Sequence, residues 1–213
     1  MDQRVMQVVA TSDLHGVLPT IPRCDLLLIA GDVCPYWNHD LVFQEHWLRT
    51  DFNMWLKKVP ARKVVMTPGN HDWLFERAPD DVPELACSVL IDEQIEFEGY
   101  TIFGTPWQRR FHNWAFNLDQ RELDDKYRKM PKSDIIVAHG PPYGFGDLTE
   151  REYVGSKGFV QRIIETEPIL VVFGHIHTGY GTWRFGSSSL ANVSLLNDEY
   201  QQVNKPRKFK IHA

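Results

Sequence analysis

Five short apolar runs, each ended by polar residues, constrain the fold of this 213-residue chain more than any other feature. The runs lie in the segments RVMQVVAT, DLLLIAGD, RKVVMTPGN, DIIVAHG and ILVVFGHIH. Continuous hydrophobicity over about four to eight residues is typical of strands that are buried on both faces. Helical patterns occupy residues 40–58, 117–130 and 156–168 between the runs. This alternation predicts an α/β domain with a layered, sheet-centred core.

Further strands are expected outside these five runs. The segment IEFEGYTIFGT reads as a hairpin with Glu98 and Gly99 at its turn, and TWRFGSSSLANVSLL and KFKIHA read as strands near the end of the chain. We find no internal repeat, low-complexity tract or linker composition. Residues 1–213 are therefore expected to form a single domain.

The composition excludes several classes of protein. A hydrophobic fraction of 43% and a charged fraction of 24% are those of an ordinary globular chain. The net charge of −5 gives no broad basic surface for duplex nucleic acid, so no stable nucleic-acid complex is expected. The three cysteines are odd in number and show no paired spacing, which indicates a reducing compartment, and no window reaches the ~18 apolar residues of a membrane span. We therefore expect a cytoplasmic protein.

Carboxylates, histidines and an asparagine follow the five runs where each predicted strand ends. Ligands of open α/β sheets bind outside the carboxyl ends of the strands, so we expect these side chains at one edge of one sheet. They form a ligand set of nitrogen and oxygen without thiolate, which suits Mn, Fe, Zn, Ni or Co. The candidate ligands are Asp13, His15, Asp32, Asn70, His139, His175 and His177.

Seven candidate ligands are too many for one tetrahedral ion with a free position. They match two divalent metals that share a bridging carboxylate and keep room for water. Two metals roughly 3.5–4 Å apart form a clamp for in-line displacement at phosphorus. Gly31, Gly69 and Gly174 would let the backbone turn tightly beside the ions.

The order of these motifs resembles the calcineurin-like metallophosphoesterase superfamily. D-x-H, G-D, G-N-H-D, a lone H and G-H-x-H follow one another over about residues 11–177. In addition, GTPWQRRFHNWAFNL, AHGPPYGFGD and FGHIHTGYG are similar to the metallophosphoesterase-domain-containing, class III phosphodiesterase-like branch. The resemblance implies an αββα sandwich, in which two sheets pack face to face and are flanked by helices.

The resemblance also implies a role for each site residue. Asp13, His15 and His177 would bind the first metal, and Asn70, His139 and His175 would bind the second. Asp32 would bridge the two ions. Two divalent metal ions are thus the implied cofactors, with manganese the expected occupant and Fe, Zn, Ni and Co left open by the ligand types.

His71, the histidine of the G-N-H-D motif, is not among these ligands and is expected to be the catalytic residue. It would face the substrate and assist the leaving oxygen, while a hydroxide that bridges the metals attacks phosphorus. Asp72 is expected to orient a neighbouring imidazole. His39, His46 and His212 fall outside every cluster and are expected to be surface residues.

The implied activity is hydrolysis of phosphodiesters, with small or cyclic nucleotides as the leading substrates. A phosphomonoesterase or protein phosphatase is the nearest alternative, and a non-catalytic scaffold that keeps the fold is another. Segment 107–117 could stack a nucleobase while Arg109 and Arg110 attract phosphate, or it could form an aromatic mini-core under a loop. Tyr143 is a candidate wall of the site, and Asn192 is a candidate neighbour of the metals.

Overall fold

The structure is a computed structural model that describes residues 5–212 of the chain. In chain order its strands are β1 (Val5–Thr11), β2 (Cys24–Ala30), β3 (Ala61–Thr67), β4 (Ser88–Val89), β5 (Glu93–Phe97), β6 (Tyr100–Thr105), β7 (Gln108–Arg109), β8 (Asn117–Leu118), β9 (Ile135–Ala138), β10 (Leu170–Phe173), β11 (Gly181–Phe185), β12 (Ser188–Asn192) and β13 (Arg207–His212). Its helices are α1 (Leu41–Trp47), α2 (Asn53–Leu56), α3 (Trp73–Arg77), α4 (Gln120–Arg128) and α5 (Lys157–Thr166).

The strands form two large mixed sheets and one two-stranded pair, β7 with β8. The first large sheet has the order β13-β1-β2-β3-β4, in which β1 to β4 are parallel and β13 is antiparallel. The second has the order β11-β12-β10-β9-β6-β5, with antiparallel strands only at its two edges. All five predicted apolar runs are inner strands of these sheets, which explains why they are apolar on both faces.

The two large sheets pack face to face, and most side chains on both faces of their inner strands are buried. Val8 of β1 and Val137 of β9 belong to one apolar cluster between the sheets. Their neighbours Val9 and Ile136 point the opposite way, toward the helices on the outer face of each sheet. Phe159 of α5 is fully buried in the outer cluster of the second sheet. The layers follow the order αββα, which confirms the predicted two-sheet sandwich.

Local sequence signals set the ends of several elements. The side chain of Asp40 accepts a hydrogen bond from the backbone of Phe43 at 2.9 Å, which caps α1. A π-helical turn over Leu48–Phe52 joins α1 to α2, so the predicted helical segment 40–58 is confirmed. The predicted hairpin forms between β5 and β6, with Glu98 and Gly99 both at positive φ as a tight turn requires. Within residues 5–212, no helix has the length and hydropathy that a bilayer span requires.

Candidate metal centre

The predicted ligands converge at the carboxyl ends of five strands, but these strands belong to two sheets. β1, β2 and β3 lie in the first large sheet, and β9 and β10 lie in the second. The expectation of one edge of one sheet was wrong, because the apolar runs do not reveal which strands pair. A parallel bridge between Ser12 and Ser194 joins the ends of β1 and β12, so the sheets meet beside the site.

Asp13, His15 and His177 form the first group of candidate ligands. One ligand atom of each lies within 4.8 Å of the others. The Nε2 atoms of the two histidines are 3.2 Å apart. His177 donates from Nδ1 to the carbonyl of Asn197 at 2.9 Å, which leaves its Nε2 directed at the cluster. The Asp13 carboxylate accepts from the hydroxyl of Ser194 at 2.7 Å, so it is oriented by a neighbour from the other sheet.

Asn70, His139 and His175 form the second group. The Oδ1 atom of Asn70 lies 2.8 Å from Nε2 of His139 and 2.7 Å from Nδ1 of His175. His139 donates from Nδ1 to the carbonyl of Ala30 at 2.9 Å, which fixes the nitrogen that faces Asn70. Three candidate ligand atoms thus point at one small volume.

Asp32 lies between the two groups. Its Oδ2 atom is 3.6 Å from Nε2 of His15 in the first group and 3.5 Å from Nε2 of His139 in the second. Its Oδ1 atom accepts a hydrogen bond from the backbone N–H of His71 at 2.7 Å. The structure therefore brings all seven predicted ligands together in two groups that meet at Asp32, in the arrangement that a bridging role requires.

The backbone around these side chains is strained. Four candidate ligands have φ in the left-handed region, which is uncommon for non-glycine residues. They are Asp13 (53°), His15 (44°), Asp32 (52°) and His175 (71°). Gly31 also lies there, with φ of 93°, and a Cβ on it would meet Nδ1 of His139 at 2.5 Å. Gly31 is thus required both for its left-handed backbone and because a side chain there would collide with a ligand.

Burial suppresses charge on most groups of the metal-free site. Burial, followed by the negative charges of Asp72 and Asp13, raises the pKa of Asp32 well above its ordinary value. Burial lowers the pKa of His175 to about 3. His177 behaves differently: burial opposes its protonation, but the hydrogen bond to Asp13 and the negative charge of that carboxylate raise the pKa of His177 to about 9. Divalent cations would oppose the raised pKa values of Asp32 and His177, because they favour an ionised carboxylate and a neutral imidazole.

The residues present fit a pair of divalent cations. Because Nδ1 of His139 donates to the carbonyl of Ala30, its Nε2 lone pair faces Oδ1 of Asn70 at 2.8 Å with no proton between the two acceptors, which is costly in an ordinary polar cluster. Imidazole nitrogens face one another and face carboxylate oxygens, where a shared cation would replace repulsion with ligation. The set of nitrogen and oxygen donors suits borderline divalent metals. Metal binding by these residues stays a prediction.

His71 stands at the edge of the cluster and lines a cavity of about 630 Å³. Its ring lies between those of His15 and Trp114, with centroid distances of 4.8 Å and 4.6 Å. Burial, followed by the nearby His39 and His139, lowers the pKa of His71 to about 3. Its imidazole is therefore neutral at physiological pH and can act as a hydrogen-bond donor or acceptor beside a substrate.

Asp72 acts differently from the prediction. Its carboxylate accepts hydrogen bonds from the backbone N–H groups of Val33, Cys34 and Gly69 at 3.2, 2.8 and 2.8 Å, and no bond to an imidazole is seen among residues 5–212. It therefore ties the loop that carries Asp32 to the loop that carries Asn70 and His71. The sequence showed a carboxylate beside a histidine but not the two backbone segments around it.

Segment 107–117 divides into two parts. Trp107 and Phe116 pack edge to face at 5.4 Å and belong to the core, as the mini-core alternative expected. Other residues of the segment line the cavity, as the ligand-contact alternative expected. They are Arg109, Arg110, Phe111 and Trp114. The local pattern could not separate the two roles because both use aromatic residues.

Two other predicted neighbours of the site have structural roles. Tyr143 does not line the cavity and instead packs against Tyr153, with ring centroids 5.5 Å apart. Asn192 is buried and donates from Nδ2 to the carbonyl of Ile176 at 2.9 Å. Asn192 thus supports the loop between the ligands His175 and His177.

Sequence reasoning missed several residues that support the site. The ring of Tyr200 lines the cavity and meets the ring of His15 edge to face at 4.9 Å. The buried side chain of Gln44 donates to the carbonyl of His71 at 2.7 Å and accepts from the N–H of Leu74 at 3.0 Å. His39 is exposed, as predicted, yet its Nε2 lies 3.1 Å from Nδ1 of His71. No local sequence motif indicates these contacts.

Known proteins share both the sequence pattern and the fold. A family model described as calcineurin-like phosphoesterase matches residues 6–179. Human metallophosphoesterase domain-containing protein 1 is 31% identical over 93% of this chain and 68% of its own length. UPF0046 protein T07D4.2 of Caenorhabditis elegans is 30% identical over 90% of this chain, which spans 55% of the worm protein.

Two solved structures share the fold at low sequence identity. Phosphopantetheinyl hydrolase of Mycobacterium tuberculosis has a TM-score of 0.59 and 15% identity, with 97% of this chain and 95% of that chain covered. TT1561 of Thermus thermophilus has a TM-score of 0.57 and 16% identity, with 89% of each chain covered. These two likenesses concern the fold alone.

Proposed function

Because the chain belongs to the calcineurin-like phosphoesterase family and is a metal-dependent phosphoric ester hydrolase, we propose that it hydrolyses phosphodiesters. The leading substrates are small nucleotides, including cyclic ones. When bound, two divalent cations would withdraw charge from the phosphoryl oxygens and lower the pKa of the attacking water. The residues that would hold them are Asp13, His15, Asp32, Asn70, His139, His175 and His177, and the ligand types leave manganese first among several metals.

The charge of the cavity wall carries the preference for diesters. Besides Asp32, three carboxylates and three arginines line the cavity, so the wall has no net positive charge. Arg109 pairs with Glu152 at 3.0 Å, and Arg110 pairs with Asp119 at 2.8 Å. A phosphodiester carries one negative charge, whereas a phosphomonoester carries nearly two at neutral pH. A balanced wall of this kind supports the monoanion as substrate.

Aromatic side chains on the same wall support a nucleotide. Phe111 and Trp114 line the cavity with ring centroids 5.2 Å apart, and Trp114 also approaches His71. A base stacked on Trp114 would hold its phosphate near the cluster, and such stacking is worth roughly 1–3 kcal/mol per base. Nε2 of His71 would donate a hydrogen bond to the leaving oxygen.

A paired assay tests this function. Metal-stripped protein is supplied with Mn²⁺ and assayed on bis(p-nitrophenyl) phosphate and on p-nitrophenyl phosphate, with Asp32→Ala as the control. We expect diester hydrolysis well above monoester hydrolysis, lost in the variant. Preference for the monoester would make the protein a phosphatase with the same ligands. No turnover with any divalent metal would favour a scaffold that binds a partner through this face.

A further inference from the structure

The ring of His71 has one hydrogen-bond partner among residues 5–212, and that partner comes from a distant part of the chain. Nε2 of His39 lies 3.1 Å from Nδ1 of His71, with the ring centroids 5.2 Å apart. His39 precedes α1 and is 32 positions away in sequence. Its own ring is tilted over Trp73 at 5.6 Å, so packing and hydrogen bonding act together on its position.

The backbone of His71 is fixed independently of this contact. Its N–H donates to Asp32 at 2.7 Å, and its carbonyl accepts from Gln44 at 2.7 Å. The ring, in contrast, meets His15 and Trp114 through ring contacts that do not select one of its two nitrogens. Among the hydrogen bonds of residues 5–212, the contact with His39 is the one that distinguishes Nδ1 from Nε2.

We propose that His39 is a positioning residue, which binds Nδ1 of His71 and thereby directs Nε2 of His71 into the cavity toward the leaving oxygen. When Nε2–H of His39 donates to Nδ1 of His71, the neutral ring of His71 keeps its proton on Nε2, which is then free to donate to the leaving oxygen. The partner of one imidazole nitrogen sets the orientation of the ring and the role of the other nitrogen. This inference rests on the proposed function of His71 and adds the residue through which that function is set.

Kinetics with graded leaving groups separate positioning from a general structural effect. Help to the leaving oxygen matters most when the leaving group is poor. Methyl aryl phosphates from 4-nitrophenol to phenol supply the series, and the matching aryl phosphates run in parallel. The variants are His39→Phe, which keeps a ring on Trp73, and His39→Gln, which keeps a hydrogen-bonding group. His46→Phe changes an exposed histidine outside the site and serves as the control.

For His39→Phe we expect kcat to fall about 30-fold with phenol as leaving group but less than about 3-fold with 4-nitrophenol, which is a part of the roughly 10²–10⁴-fold that general acid–base assistance contributes. KM and metal content should stay unchanged, His39→Gln should recover most of kcat, and His46→Phe should match wild type. Because His39 acts through His71, the double variant His39→Phe/His71→Ala should be no slower than His71→Ala alone. An equal loss across all leaving groups, or no loss, would overturn the inference.

Nitrogen NMR of the metal-free protein tests the contact without any turnover. We expect the two ring nitrogens of His71 to show one fixed pattern in wild type, an averaged pattern in His39→Phe, and a fixed pattern again in His39→Gln. Unchanged His71 resonances in His39→Phe would overturn the proposal. Failure of wild type to hydrolyse any diester would instead count against the proposed function, while the aryl phosphates and the NMR still decide the role of His39.

Discussion

The floor of the cavity and its wall are held in place by different interactions. The floor consists of the seven candidate ligands and His71, and it is fixed by strand ends and by hydrogen bonds to buried backbone. The wall consists of two largely exposed segments, residues 109–114 and 149–154, together with Asp198. One ion pair, Arg109 with Glu152, joins the two segments of the wall. The difference teaches that the sheets set the chemistry of this site, while exposed loops set what fits above it.

The floor carries a larger energetic cost than the wall, with four left-handed non-glycine residues against one in the wall, His112. Left-handed backbone at non-glycine residues costs about 1–3 kcal/mol each, and buried carboxylates beside one another add to this. Exposed ion pairs such as Arg109–Glu152 contribute only about 0–1 kcal/mol. Changes to the floor should therefore have large effects on metal binding and catalysis, and changes to the wall should have small effects on substrate preference.

The largest effect is expected from Asp32→Asn. The amide keeps the shape and can still accept from the backbone of His71, but it removes the shared negative charge. We expect kcat to fall by at least about 10³-fold, because charge neutralisation at the cations is the main catalytic term. Wild type should gain about 2.7 kcal/mol of stability per bound ion at a metal concentration 100 times Kd, and the variant should gain almost none. Differential scanning calorimetry with and without Mn²⁺ measures this gain.

The metal-free form of Asp32→Asn provides the control. Because burial and neighbouring carboxylates raise the pKa of Asp32, the metal-free variant should be at least as stable as metal-free wild type. A lower melting temperature without metal would mean that Asp32 stabilises the fold by itself, and the contrast between floor and wall would fail.

His71→Ala should give the next largest effect. The side chain lines the cavity and is not among the seven ligands, so both metals should remain while kcat falls about 10²–10⁴-fold. Elemental analysis of the dialysed variant together with steady-state kinetics checks both parts. Loss of one or both metals would make His71 a ligand and would contradict its role as a substrate contact.

Metal binding should depend on pH through His177. In the metal-free protein its pKa is about 9, against 6.5 for an ordinary histidine, so the folded state holds this proton more tightly. The associated stabilisation of the folded protein is complete below about pH 6.5 and is lost as the pH rises through about 9. A metal must displace the proton, so affinity should rise up to about tenfold per pH unit until about pH 9.

Proton release can be counted to test this dependence. Calorimetric titrations in buffers of different ionisation enthalpy should show His177 releasing close to one proton at neutral pH when the ion held by Asp13, His15 and His177 binds, beyond any proton that the shared Asp32 gives up. The ion held by Asn70, His139 and His175 should release almost none from His175, since its pKa is about 3. If both ions released the same number of protons on binding, the predicted difference between His177 and His175 would be refuted.

Glu152→Gln should give the smallest effect. It removes the carboxylate that neutralises Arg109, so the wall gains positive charge without losing any ligand. We expect kcat/KM for p-nitrophenyl phosphate to rise about 2- to 5-fold relative to the diester, with unchanged melting temperature. Asp119→Asn, which frees Arg110, is the matched variant. An unchanged ratio in both variants would show that wall charge does not select the substrate.

The floor could be predicted from the sequence because its residues sit at fixed positions relative to strand ends. Asp32 follows closely after β2 and His139 follows β9 directly, so the apolar run locates the ligand. Which strands pair could not be predicted in the same way, and the five strand ends proved to come from two sheets. The sequence of a strand that is apolar on both faces does not show which strand pairs with it.

Contacts between distant segments account for the rest of what was missed. His39 and Gln44 reach His71 from 32 and 27 positions away, and neither lies in a recognisable motif. The hydrogen bonds that Asp72 accepts from the backbone of the Asp32 loop depend on how two loops approach each other, which no local pattern specifies. The pairing of Arg109 with Glu152 likewise depends on two loops whose paths the sequence does not specify.

The number of metal ions bound per chain tests the central claim most directly. Native mass spectrometry of metal-stripped protein titrated with Mn²⁺ resolves chains with zero, one and two ions. The account predicts two ions in wild type, one in His15→Ala, whose substitution leaves the Asn70 group intact, and none held tightly in Asp32→Asn. Wild type that saturates at one ion would contradict a floor built as two groups of ligands joined by Asp32.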